Sequence, residues 1–369
     1  MGQLCSIKSG KSDTQDAVPD GEYAFFDRSR IVKRSSRYLY DCEALIMPGE
    51  GAEFLPKHFT GRFDLHQRAY ALFDFAAGID VRYLYYYLHY AKDYFPRVAV
   101  GATVKSLRLR HFEQLPIVVA PLREQRRIVA ILDEAFKGIQ VAAANLERCA
   151  RNAGEVFSRQ LDGVFAGEVE AWPNRTLGEL FDITSSRRVF QSEWKQVGVP
   201  FYRAREIVRL AKHGFVNNEL FISEAMFEEY SKRYGAPNEG DIMVTGVGTL
   251  GICYVVGEGD RFYFKDGNII WLKRRSDVDS RFVEYAFQSQ VLRQQIDDSV
   301  GATVGTYTIV KAKSTRIPVP SPAEQRRIVG TLDDLRRETR HLESVFRRKI
   351  NELDALKQSL LNEAYSGDL

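Results

Sequence analysis

The chain contains two copies of one sequence pattern. Two segments recur after 200 residues: residues 100–104 (VGATV) as 300–304, and residues 124–129 (EQRRIV) as 324–329. Two segments nearer the start recur after 176 residues: residues 2–4 as 178–180, and residues 25–26 as 201–202. The second copy is therefore longer by 24 residues, which lie between Arg209 and Val300. A repeat on this scale predicts one architecture used twice.

Each copy ends in a segment with the apolar spacing of a coiled-coil helix. Apolar residues recur every three or four positions after Pro121 and after Pro322. Prolines near the helix starts and glycines at 167 and 367 are typical of helix ends. At 1.5 Å per residue each helix would be about 65 Å long. A narrow apolar seam needs a partner, so we predict that the two helices form an antiparallel coiled coil with pseudo-twofold symmetry. Two separate helical hairpins fit less well, since neither segment has a central turn signal.

The rest of the chain predicts globular parts of mixed strand and helix. Residues 241–245, 252–256 and 268–273 have strand character, and residues 81–94 and 281–296 have helical periodicity. We therefore predict an α+β fold with α/β-type globular domains in tandem repeat, separated by the two long helices. The predicted boundaries are 1–120, 121–169, 170–320 and 321–369.

Composition excludes several classes of protein. The chain has 52 Lys and Arg against 49 Asp and Glu, so its net charge is only +3. The two helical segments are each neutral, which places the surplus on the globular parts. The four cysteines form no C-x-x-C pair and the six histidines no H-x-x-x-H pair, so neither a zinc site nor a disulfide framework is indicated. No secretion signal or long apolar run is present, so we expect a cytoplasmic protein.

No motif assembles a catalytic site. Residues 246–251 (GVGTLG) match a dinucleotide-binding pattern, but a strand-like segment follows them where a phosphate-binding helix is required. They therefore predict a hairpin turn. Asp182 with residues 193–195 (EWK) is similar to a metal-dependent nuclease pattern, but the first copy has no matching residues. The methyltransferase tetrapeptide N/D-P-P-Y/F/W and the P-loop motif G-x-x-x-x-G-K-[ST] are also missing. We therefore predict no catalytic residue, no metal and a binding function.

Basic residues interleaved with aromatic, small polar and glycine residues are the candidate binding residues. Arginine can bond to guanine, and glutamine or asparagine to adenine. We therefore predict base contacts from Arg203, Arg205, Gln67, Arg68 and Asn268. Lysines and the Gly-Ala-Thr segments suit phosphates, which position DNA without specifying its sequence. The full predicted DNA-binding set is Lys8, Lys11, Arg28, Arg30, Lys33, Gln67, Arg68, Gly101, Thr103, Arg187, Arg188, Arg203, Arg205, Thr245, Lys265, Asn268, Gly301 and Thr303. For any single arginine, a solvated charge or a local ion pair fits as well.

The helix starts and the order of segments resemble one family. Residues 121–128 (PLREQRRI), residues 317–325 (IPVPSPAEQ), the ending 360–369 (LLNEAYSGDL), and Glu193-Trp194 followed by residues 199–202 (VPFY) are similar to the specificity subunit of type I restriction–modification systems, the HsdS family. The resemblance covers nearly the whole chain. The first copy departs from the family pattern, because it has no equivalent of residues 170–177.

The resemblance implies a non-catalytic DNA-recognition subunit. Two target-recognition domains would each read half of a split, asymmetric site, and the helices would set the spacing between the halves. Two modification subunits, which carry S-adenosylmethionine and methylate adenine, would bind this chain, and restriction subunits using ATP and Mg²⁺ could join them. This chain itself would bind no cofactor. The residues predicted for helix packing and partner docking are Glu124, Gln125, Ile128, Leu132, Glu324, Gln325, Ile328 and Leu332.

Two alternatives remain open from the sequence. The first is a scaffold whose helices and paired domains bind only proteins. The second is the specificity subunit of a related, methylation-only system.

Overall fold

A computed structural model describes residues 1–167, 172–297 and 305–369. The chain divides into two compact units, unit 1 (Met1–Arg148 with Phe346–Leu369) and unit 2 (Cys149–Val345). The division falls inside both long helices, α4 (Leu122–Gly167) and α11 (Pro322–Ser366). Each unit therefore consists of a globular part together with one segment of each long helix.

Unit 1 is built on a six-stranded sheet in the order β1-β6-β4-β5-β2-β3. The strands are β1 (Ser6–Ser9), β2 (Tyr23–Phe26), β3 (Lys33–Ser35), β4 (Tyr40–Pro48), β5 (Lys57–Leu65) and β6 (Ala69–Phe73). Only β2 and β5 pair in parallel among these strands. Three short helices follow: α1 (Val81–Tyr90), α2 (Tyr94–Val98) and α3 (Leu109–Glu113).

The described residues of unit 2 form three small sheets. Their orders are β12-β11-β14-β8, β10-β9-β13 and β15-β7. The strands are β7 (Asn174–Thr176), β8 (Phe181–Thr184), β9 (Val199–Tyr202), β10 (Phe221–Ile222), β11 (Ile242–Thr245), β12 (Cys253–Val255), β13 (Tyr263–Phe264), β14 (Ile269–Arg274) and β15 (Arg316–Pro318). The helices are α5 (Leu177–Leu180), α6 (Ala204–His213), α7 (Glu224–Tyr234), α8 (Ser280–Gln288), α9 (Gln290–Asp297) and α10 (Ile309–Ser314).

The repeat seen in the sequence is also present in the strand pairing. In unit 1, Ile7 of β1 pairs with Leu72 of β6, and in unit 2 their counterparts Ile183 and Leu272 pair in the same antiparallel way. The parallel pair β2 with β5 likewise corresponds to the parallel pair β9 with β13. The residues that have no counterpart in the first copy form the end of α6, β10 and α7. The predicted α+β fold in tandem repeat is confirmed.

The long helices pack against each other in opposite directions within each unit. In unit 1 the start of α4, at Ile128 and Leu132, shares a buried core with the end of α11, at Leu361 and Tyr365. In unit 2 the end of α4, at Leu161 and Phe165, shares a core with Ile328 and Leu332 at the start of α11. The predicted antiparallel pairing is therefore present in both units.

Two predicted helices are interrupted. The segment predicted at 81–94 ends at Tyr90, and α2 begins at Tyr94, which places Pro96 in a first turn where its missing amide hydrogen leaves no bond unmade. The segment predicted at 281–296 breaks at Ser289, whose hydroxyl donates to the carbonyl of Ala286 at 2.6 Å. Serine side chains compete in this way with the helical backbone pattern.

No helix in the described ranges is both long enough and apolar enough to span a membrane.

Candidate nucleic-acid interface

Glu50 organises the loops at one end of the unit 1 sheet. It follows β4 and is largely buried, and its Oε1 accepts hydrogen bonds from Arg68 Nη1 at 2.5 Å and from the Ser106 hydroxyl at 3.2 Å. The Nη1 of Arg28 lies 3.7 Å from its other carboxylate oxygen. The two arginine side chains stay 62% and 60% exposed. One buried carboxylate therefore holds two predicted DNA-binding arginines together at the surface.

The Gly-Ala-Thr segment of the first copy lies beside this carboxylate. Val100 and Ser106 form a β-bridge that closes the loop, and the amide of Gly51 donates to the carbonyl of Lys105 at 3.0 Å. Gly101 has a φ of +116°, and a Cβ there would lie 2.2 Å from the carbonyl oxygen of Val104, so only glycine fits. Gly101 and Thr103 are both exposed. We call residues 27–31, 49–53, 66–68 and 100–106 the unit 1 loop cluster.

The loop between β2 and β3 carries two more predicted residues. Asp27 is buried, and its carboxylate lies 2.6 Å from the Lys33 ammonium and accepts from the Ser29 amide at 2.8 Å. Burial by itself raises the pKa of Asp27, but the hydrogen bonds from Lys33 and Ser29 more than offset it, so the pKa is lower than usual. Arg30 is ion-paired with Glu53 and is 82% exposed.

Three further predicted residues of unit 1 are Lys8 and Lys11, on and just after β1, and Gln67, between β5 and β6. Lys8 is exposed on the edge strand β1, with its ammonium 5.7 Å from the ring centroid of Phe73. Lys11 follows the strand and is exposed. The side-chain amide of Gln67 donates to the Asp13 carboxylate at 3.0 Å, which turns its donor group toward this acceptor.

In unit 2 the loops after β8 and β13 bring four predicted residues together. Arg188 Nε lies 3.0 Å from the carboxylate of Asp266, and the amide of Arg187 donates to the Tyr263 hydroxyl at 3.1 Å. Lys265 follows β13, and the carbonyl of Asn268 accepts from the amide of Gly246 at 2.9 Å. We call residues 185–190, 246–251 and 265–268 the unit 2 loop cluster.

Arg203 and Arg205 share acidic partners at the start of α6. Both guanidinium groups bond to the buried Glu206, at 3.0 Å and 2.6 Å, and both contact Glu219. Burial raises the pKa of Glu206, but the hydrogen bonds from the two arginines outweigh burial and the pKa is lower than usual. These two predicted base contacts are therefore already in local ion pairs.

One predicted position is not an exposed surface residue. Thr245 is fully buried, and its hydroxyl donates to the carbonyl of Thr249 while accepting from the Ile252 amide at 3.0 Å. Its structural role is to close the 246–251 turn, which joins the antiparallel strands β11 and β12 with glycines at positive φ. Gly301 and Thr303 lie outside the described residues.

The eight residues predicted for helix packing divide into two groups. Glu124 and Glu324 are partly exposed and each bonds to an arginine three residues later. The other six are buried inside their own units: Gln125, Ile128, Leu132, Gln325, Ile328 and Leu332. These six build the junction between each long helix and its globular part, so a partner chain could meet only their exposed neighbours.

Sequence reasoning missed three basic residues in or next to the unit 1 loop cluster. Lys105, Arg108 and Arg110 are exposed in or just after the unit 1 loop cluster. Their spacing around the Gly-Ala-Thr segment was the signal that could have identified them.

The described residues contain no group of three or more His, Cys, Asp or Glu side chains that could hold a metal ion. In the nuclease-like segment, the Glu193 carboxylate instead accepts from the Phe190 amide at 2.6 Å and caps a short helical turn.

Comparison with known proteins points to one family. The family model described as the type I restriction modification DNA specificity domain matches residues 1–148 and 169–353. A Haemophilus influenzae protein described as a type I restriction enzyme specificity subunit is 24% identical, over 85% of this chain and 80% of its own length. The EcoDI specificity subunit of Escherichia coli is 21% identical, over 100% of this chain and 87% of its own length.

Two solved structures have the same fold. One comes from work on complex assembly and conformational transition of the type I R-M system and superposes with a TM-score of 0.74 at 17% identity, covering 100% of this chain and 97% of that one. The HsdS subunit from Thermoanaerobacter tengcongensis superposes with a TM-score of 0.54 at 17% identity, covering 100% and 96%.

Proposed function

Because the chain belongs to the type I restriction–modification DNA specificity family, we propose that its two loop clusters each contact one half of a split, asymmetric DNA sequence. The observation that carries this proposal is that both units place arginine or amide side chains at matching strand ends. Arg68 precedes β6 as Asn268 precedes its counterpart β14, and Arg28 follows β2 as Arg203 follows its counterpart β9.

The chemistry of the clusters fits DNA. The exposed guanidinium groups of Arg28, Arg30 and Arg188 can bond to phosphates or to guanine edges, and their present acidic partners can be exchanged for the DNA backbone. Binding to DNA releases counterions, so each phosphate contact adds to the salt dependence of affinity. Buried Glu50 keeps Arg28, together with Arg68, positioned before DNA arrives.

We infer that α4 and α11 set the spacing of the two half-sites and provide the docking surfaces for two modification subunits. Both helices contribute a segment to each unit, which supports a single element linking the two DNA-contacting domains. The domains would comprise residues 1–120 and 170–320, with 121–169 and 321–369 as the helical spacer. Rigid spacing of two readout modules adds their specificities.

We propose further that this chain is not itself catalytic. S-adenosylmethionine would bind the modification subunit, and ATP and Mg²⁺ a restriction subunit where one is present, all in the cytoplasm. The hairpin role of the 246–251 turn, together with the capping role of Glu193, supports this assignment.

DNA binding at graded salt tests the proposal. The full chain, purified with its modification subunit, should bind duplex DNA with an affinity that falls linearly on a log–log plot against salt. Arg188→Gln should weaken binding and reduce the slope by about 1. Arg97→Gln, on α2 outside the loop cluster, is the matched control and should leave the slope unchanged.

Two results would count against it. A salt-independent affinity, or no DNA binding, would favour a scaffold that binds only proteins. Methylation or cleavage of DNA by this chain without partner subunits would contradict its non-catalytic role.

A further inference from the structure

An exposed isoleucine lies in a loop of unit 1 that also carries Arg28 and Arg30. Ile31 is 76% exposed in the loop between β2 and β3, and the neighbouring Val32 is also exposed. Because the Ile31 side chain is exposed to water, it contributes no burial energy to the stability of the isolated chain.

The loop that presents Ile31 is held in place by several bonds. The Ser29 hydroxyl donates to the carbonyl of Ile31 at 2.8 Å, and the Ser29 amide donates to the buried Asp27 at 2.8 Å. The ammonium of Lys57 on β5 donates to the carbonyl of Ser29 at 2.5 Å. The backbone of residues 27–31 is therefore preorganised, and contact with a ligand would require little further ordering of it.

Cations flank the isoleucine on both sides along the chain. Arg28 and Arg30 precede it, and Lys33 and Arg34 follow it. Arg28 shares Glu50 with Arg68 and so connects the loop to the rest of the unit 1 loop cluster. Three of these cations are paired in the isolated chain, Arg28 with Glu50, Arg30 with Glu53 and Lys33 with Asp27. DNA phosphates could replace the carboxylates at the two exposed arginines. An exposed apolar side chain beside these arginines matches a polyanion that has an apolar interior, and stacked base pairs between two phosphate backbones have that character.

We propose that Ile31 inserts between two stacked base pairs of the half-site contacted by unit 1, while Arg28 and Arg30 hold the flanking phosphates. Apolar wedges of this type enter from the minor groove, partly unstack one base step and bend the duplex. The step inserted would then be chosen by its ease of unstacking, since pyrimidine–purine steps deform most easily. The proposal rests on the DNA-binding function proposed above.

The wedge is not part of the repeated architecture. The 176-residue offset aligns Ile31 with Ile207, which is fully buried in α6 of unit 2. In place of an exposed loop after the parallel strand pair, the second copy has a helix that packs on its own core. Distortion caused by Ile31 is therefore confined to the half-site of unit 1.

A 2-aminopurine scan of the bound duplex tests the proposal. The duplex carries the sequence that methylome sequencing identifies, with the fluorescent base placed in turn at each adenine of the unit 1 half-site. For the complex with the modification subunit, fluorescence should rise at one step. Ile31→Ala should remove that rise and weaken affinity about tenfold, while the salt slope stays the same because no phosphate contact is lost. Ile31→Met, which keeps a long apolar side chain, should retain most of both signals.

Val118→Ala is the matched control. Val118 is a 67% exposed aliphatic residue before α4, outside the loop cluster, and its truncation should change neither signal. The proposed insertion of Ile31 would be overturned if the Ile31→Ala complex bound DNA with wild-type affinity and showed the same 2-aminopurine fluorescence as the wild-type complex. So would loss of modification-subunit binding by Ile31→Ala with DNA affinity intact, because Ile31 would then contact protein. Failure of the wild-type complex to bind any duplex would instead overturn the proposed function.

Discussion

Gln125 and Gln325 are buried amides that join each long helix to the globular part of its own unit. The side-chain amide of Gln125 donates to the Ala120 carbonyl at 2.7 Å, and its oxygen accepts from the Asp80 amide at 2.8 Å. Gln125→Leu leaves these buried groups unpaired, so we expect the free energy of unfolding to fall by about 2 kcal/mol or more. Gln140→Leu, at an exposed position of α4, should change it little. Denaturant titration of both variants measures the difference, and equal stabilities would show that water replaces the lost bonds.

The two long helices are not interchangeable, because α4 supplies aromatic rings and α11 supplies cations where they meet. In unit 1 the Lys357 ammonium lies 5.0 Å from the Phe136 ring centroid, and in unit 2 the Arg336 guanidinium lies 4.9 Å from that of Phe157. Arg336 also lies 4.4 Å from the Tyr285 ring and is more enclosed. We therefore expect Arg336→Met to destabilise the protein by about 2 kcal/mol and Lys357→Met by about 0.5–1 kcal/mol. Thermal unfolding in which Lys357→Met has the larger effect would contradict this ranking.

At the scale of the whole molecule, the repeat predicts that DNA recognition is modular. The globular parts have separate buried cores, since residues of β4 and α1 pack in unit 1 and residues of β11 and α8 pack in unit 2. Replacing residues 170–320 with the corresponding residues of another family member should change one half of the methylated sequence and leave the other half intact. Methylome sequencing of the host checks this outcome. A change in both halves would show that each domain influences the other's readout.

Much of the fold could be predicted from the sequence, but the site could be predicted only in outline. Helix starts at Pro121 and Pro322 and the duplicated segments depend on local chemistry and on comparison of the chain with itself. The role of Thr245 could not be predicted in this way, because its hydroxyl is used by a turn whose geometry depends on β11 and β12. Nor could the grouping of Arg28 with Arg68, because Glu50 joins residues that are 40 positions apart in the chain.

The sequence by itself determined that this chain repeats one α+β unit twice, with a long amphipathic helix after each copy, because periodicity and self-similarity are properties of residue order. Only the tertiary structure decided which side chains are buried at the junctions, which arginines share a carboxylate, and that Ile31 is exposed while Ile207 is buried. The reason is physical. Burial and ion pairing depend on distances between residues far apart in the chain, and the same local sequence is solvated or enclosed according to the elements that pack around it.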